Sequence, residues 1–73
     1  MRFPSSAVVE AMRKKYPPGT RVKLVRMDDP QAPPIGTCGT VLYVDDMADI
    51  GVRWDNGSGL NVVYGVDQVI KIN

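Results

Sequence analysis

The sequence predicts a mainly β domain, five short strands closing into a small barrel, with one short helix ahead of them. Three observations predict it. Beyond Tyr16 the apolar residues recur at every second position, the period of a half-buried strand. Proline and glycine clusters cut that part of the chain into short pieces. The chain has 73 residues, enough for one domain that buries only about 60% of its unfolded surface, so its core must be compact.

The elements follow in order. Pro4-Ser5-Ser6 offers a helix entry and an N-cap, and Val8, Val9, Met12 and Tyr16 share one helical face. Arg13-Lys14-Lys15 complements the dipole at the C-terminal end of that helix, and Pro17-Pro18-Gly19 stops it. Thr20–Arg26 alternates charged and apolar residues as a first strand. Asp28–Gly36, with three prolines, is a long loop. Gly39–Val44 is the second strand, Asp45–Asp49 an acidic turn and Ile50–Trp54 the third strand. Asp55-Asn56-Gly57-Ser58-Gly59 is a hairpin turn, because Asn-Gly tolerates positive φ. Leu60–Tyr64 reads as a fourth strand and Val69–Ile72 as a fifth. One long early loop followed by tight hairpins is the pattern of an SH3-like barrel, whose closure removes aggregation-prone edges. The expected organisation is residues 1–16 as a helix packed on or extending from the barrel, and residues 17–73 as the barrel.

Composition narrows function. Hydrophobic residues make up 44% and charged residues 23%, the balance of a folded soluble protein rather than a disordered one. The net charge of +1 lacks the basic excess by which dedicated nucleic-acid binders neutralise phosphates. There is no histidine, which removes the commonest general base and metal ligand. Cys38 is the single cysteine, so no internal disulfide forms, and a lone thiol suits a reducing cytoplasm. The N-terminus is too polar and short for a signal peptide or a membrane span. These features point away from an enzyme, a cofactor, a resident metal or a membrane partner.

Gly19-Thr20-Arg21-Val22, Gly36-Thr37-Cys38-Gly39-Thr40-Val41 and Val52-Arg53-Trp54-Asp55-Asn56-Gly57-Ser58 together resemble a bacterial domain-of-unknown-function family of small SH3-like proteins. The resemblance covers Tyr16 to the C-terminus and implies a phage, plasmid or other mobile-element setting, with no established activity. Gly39-Thr40-Val41 and Val52–Gly57 are also similar to the domain shared by Mind-bomb and HERC ubiquitin ligases, which binds peptide tails. The tryptophan- and aspartate-rich first loop of that domain is replaced here by a proline-rich one. The glycine-threonine-valine turn by itself is similar to KOW-type ribosomal and transcription modules.

Six residues are candidate ligand contacts. Arg21 and Lys23 project from one face of the first strand, and Arg53 points away from Val52 and Trp54. On neighbouring strands the three would form a basic patch for phosphate or an acidic peptide, or else an ordinary solubilising surface. Trp54 offers an aromatic platform for a peptide or a base, or packs in the core with Ile50 and Val52. Tyr43 and Tyr64, with Tyr16, line a peptide groove beside the proline-rich loop or serve strand packing. Asp45, Asp46 and Asp49 lack the ligand spacing of a calcium loop and read as an exposed turn.

The expected function is a non-catalytic binding module of the cytoplasm, encoded by a phage or mobile element, that engages a protein or peptide. One alternative is nucleic-acid binding through the Arg21, Lys23 and Arg53 face. Another is oligomeric capture of a small anionic ligand such as a nucleotide signal. The Val8, Val9, Met12 stripe of the helix either caps the barrel or forms a dimer contact.

Overall fold

A serine hydroxyl sets the first element. In the computed structural model, which describes residues 3–72, Ser5 is extended and its Oγ accepts the Val8 amide at 3.2 Å. The helix α1 then runs over Ser6–Lys15, and the Tyr16 amide closes it on the Met12 carbonyl at 2.8 Å. Its apolar face is covered within the chain: Val9 and Tyr16 are buried and Met12 packs on the core. Arg13 does more than complement the dipole, since its Nε donates to the Val44 carbonyl and its Nη2 to Asp46 Oδ1. This fixes α1 against the strand that ends at Val44. No helix among the described residues is long and apolar enough to cross a membrane.

Four antiparallel strands follow, β1 (Arg21–Arg26), β2 (Cys38–Val44), β3 (Ile50–Trp54) and β4 (Gln68–Lys71), in the open sheet order β3-β2-β1-β4. Alternation decides the two faces. Val22 and Leu24 of β1, Val41 of β2, and Ile50, Val52 and Trp54 of β3 are all fully buried. Arg21, Lys23 and Arg53 point the other way, as the period of two requires. A bulge between Val41 and Tyr43 breaks this alternation, leaving Leu42 and Tyr43 both exposed and returning Val44 to the core.

The expected fourth strand requires correction, leaving four strands in the sheet rather than five. Leu60–Tyr64 does not form a strand; only Val62 pairs, exchanging two hydrogen bonds of 2.9 Å with Ile50. Carboxylates explain the loss. Asp67 Oδ2 takes the Val63 amide and Asp49 Oδ1 takes the Tyr64 amide, both at 2.8 Å, while the Val63 carbonyl receives the amides of Val66 and Asp67. Donors a ladder would have used are thus spent on a local turn. The final strand does form, shifted by one residue to Gln68–Lys71 and paired with β1.

Trp54 is also corrected as an aromatic platform. It is the largest fully buried side chain, 1% exposed, and its Nε1 donates to the Leu60 carbonyl at 2.8 Å. The Asp55–Gly59 segment is the turn its sequence implies: Gly57 has φ +92° and the Asn56 side chain accepts the Ser58 amide. In the acidic turn Asp45 Oδ1 accepts the amides of Met47 and Asp49. No group of three potential metal-ligating side chains occurs among the described residues.

Candidate functional site

The outer face of the sheet brings the three predicted cations together. Register places Arg21 opposite Thr40, and Thr40 opposite Arg53, so the two arginines lie in one cross-strand row with Lys23 two positions along β1. Strand spacing sets Arg21 and Arg53 about 10 Å apart at the backbone. Arg21 is not available in the same way as the others. It forms a two-pronged pair with Asp55, Nη1 to Oδ1 at 2.8 Å and Nη2 to Oδ2 at 2.6 Å, and Nη1 also reaches Thr40 Oγ1 at 3.0 Å. Lys23 and Arg53 have no acidic partner among the described residues. Asp55 therefore offsets one of the three charges of the patch.

The hydrogen bonds from Arg21 hold the Asp55 carboxyl below its ordinary value; desolvation opposes this and the guanidinium charge adds to it. A depressed carboxylate stabilises the fold above its unfolded pKa, and that contribution vanishes as pH falls through the folded value. The pair is half-exposed, so salt screens it. Asp55→Asn is accordingly expected to lower the urea midpoint slightly at pH 7. The gap between variant and parent should close as pH falls below the ordinary carboxylate range and narrow in 1 M salt. A gap independent of pH would show that the carboxylate charge contributes nothing.

The tyrosines separate. Tyr43 lies 47% exposed with its ring over Gly51, and its hydroxyl faces the Asn61 amide nitrogen at 3.3 Å. Tyr16 and Tyr64 instead share a cleft with α1, not with the proline-rich loop. The cleft has a volume of about 280 Å³ and lies between the C-terminal end of α1 and the turn that leads into β4. Its floor is the buried side chains of Ala48, Ile50 and Val62, and its apolar walls are Met12, Tyr16 and Val69. Lys15, Tyr64, Asp67 and Gln68 form the rim.

The rim groups differ in commitment. Asp67 is tied to the Val63 amide, whereas Lys15 has its Nζ over the Tyr16 ring, 5.3 Å from the centroid. Tyr64 is fixed through its backbone to Asp49, which leaves its half-exposed ring at the mouth. Sequence reasoning singled out Tyr64 and placed Met12 and Tyr16 on one helical stripe, but passed over Lys15, Gln68 and Val69. The signal for Lys15 was its spacing of three from Met12, which puts both on one side of α1. Nothing local signalled Gln68 or Val69, because only the long-range return of β4 brings them there.

The chain belongs to the family described as a domain of unknown function (DUF4314), which matches residues 5–72 and so spans both α1 and the whole sheet. No curated protein and no solved structure matches it.

Proposed function

We propose that this member of a family of unknown function is a non-catalytic binding module that engages a protein partner through a peptide segment seated in the cleft between α1 and β4. The carrying observation is the cleft itself: a preformed hollow whose floor is core side chains and whose rim is polar and in part uncommitted. That is the composition of binding sites that take an apolar anchor and orient it with a few polar groups. A catalytic reading has less support, because the rim holds no histidine or cysteine and its one carboxylate, Asp67, is spent on a backbone amide. The proposal extends to architecture and setting. The last strand returns beside the first, and Val62 bridges to β3 where a fourth strand would stand, which supports an SH3-like barrel; the mobile-element setting rests on the sequence resemblance alone.

The outer basic face supports nucleic acid less well. With Arg21 held by Asp55, two cations remain, and counterion release from about two phosphate contacts gives weak binding. The test is selection from a phage-displayed library of random peptides on the immobilised protein, beside titration with a short mixed-sequence DNA duplex at 50 mM salt. Selected peptides are expected to lose at least about tenfold in affinity on Tyr64→Ala, as an interface aromatic does, and little on Lys23→Ala with Arg53→Ala. No selected peptide, or duplex binding abolished by the Lys23 and Arg53 changes, would overturn the reading.

A further inference from the structure

The backbone of β4 gives the cleft a second feature. β4 pairs on one side only, with β1. Lys23 pairs with Ile70, and the Ile72 amide donates to the Arg21 carbonyl at 3.0 Å, so Ile70 and Ile72 direct their backbone groups at β1. Alternation in an antiparallel ladder then turns the N–H and C=O of Val69 and Lys71 away from β1, towards the open edge. Val69 lines the cleft. Helix α1 packs against β2, and none of its Cα atoms lies within 8 Å of a β4 Cα. A gap with an unpaired strand edge on one side and Met12 and Tyr16 on the other is therefore built into the fold.

We propose, resting on the peptide-binding reading above, that the partner segment adds to β4 as an antiparallel strand. It places an apolar side chain opposite Val69 and an acidic side chain opposite Lys71. Val69 and Lys71 lie two apart and share one face of β4, so the two peptide side chains share that face as well. The residue opposite Val69 enters the hollow over Ile50 and Val62. Charge selects the acidic position: Lys71 is exposed and has no acidic partner among the described residues, and Lys15 on the cleft rim adds a second cation. Because the strand is antiparallel, the peptide reads acidic–any–apolar from its N-terminus. A second copy of the chain is a poorer occupant, since β4 has only four residues and ends on lysine, a device that blunts self-pairing of edges.

Peptides recovered from the random library supply the probe. They are expected to share the acidic–any–apolar pattern. N-methylation of the apolar residue, whose amide would face β4, is expected to cost at least about tenfold, and of the middle residue, whose amide faces away, little. Lys71→Glu is expected to weaken these peptides about tenfold and to favour versions with lysine at the acidic position. Equal tolerance of N-methylation at both positions would overturn strand addition, yet leave the cleft reading standing if Tyr64→Ala still weakens binding. Recovery of no peptide would sink both. In the free protein the Val69 and Lys71 amides should exchange faster than those of Ile70 and Ile72; a dimer with all four protected would mean that a second copy occupies the edge.

Discussion

Trp54→Ala is expected to abolish the cooperative thermal transition or lower its midpoint by at least about 15 °C. Trp54 ends β3 with its indole fully buried among Val22, Leu24, Val41 and Val52, and its Nε1 holds the Leu60 carbonyl. Truncating a buried tryptophan costs about 3–5 kcal/mol, and a chain of this length has a total stability of about 4–11 kcal/mol. The substitution therefore removes much of what holds the fold, and at the lower end all of it. Far-ultraviolet circular dichroism is the appropriate probe, since the variant lacks the one tryptophan. Trp54→Phe keeps most of the apolar contact but loses the bond to Leu60, so its midpoint should fall between those of the parent and the alanine variant. A midpoint within a few degrees of the parent for Trp54→Ala would contradict its place at the centre of the core.

The same residue shows how far a sequence reading carries. The period of two in Ile50–Trp54 put Trp54 on one face with Ile50 and Val52 and Arg53 on the other, and the sheet has them so. Local rules also located the helix, since the Ser5 cap and the proline stop act within a few residues of themselves. They failed at Leu60–Tyr64, whose β-branched and aromatic residues favour a strand. Two aspartates, one of them 15 residues upstream of the amide it binds, draw the chain into a turn instead.

The candidate sites divide along the same line. Alternation placed Arg21, Lys23 and Arg53 on a common face, but the Arg21–Asp55 pair depends on how β1 registers with a hairpin 34 residues away. The cleft was less legible still. Its walls come from α1, the acidic turn, β3, the Val62 bridge and β4, and no periodicity relates these segments to one another.

Gly39→Ala is expected to destabilise the chain by about 1–3 kcal/mol, the usual cost of forcing a carbon into a filled core, whereas Gly51→Ala should be correctable. A Cβ at Gly39 would lie 2.6 Å from Val52 Cγ1, 2.8 Å from Trp54 Cε3 and 3.0 Å from the Arg53 carbonyl oxygen. Two of these are fully buried side chains and the third is backbone in the β2–β3 ladder, so none swings aside. The entropic gain of alanine over glycine in a strand, about 0.5–1 kcal/mol, is smaller than that cost. At Gly51 the three atoms nearest the added carbon all belong to the Tyr43 ring, a half-exposed side chain rather than backbone or core. Urea midpoints separate the cases. Gly51→Ala in a Tyr43→Ala background should recover most of its loss, because the nearest obstruction is gone. Gly39→Ala in a Val52→Ala background should stay destabilised, because Trp54 and the Arg53 carbonyl still occupy the space. If truncating Val52 fully rescued Gly39→Ala, the approach of Trp54 to β2 would be looser than these distances require. The glycine would then be no condition for burying the indole.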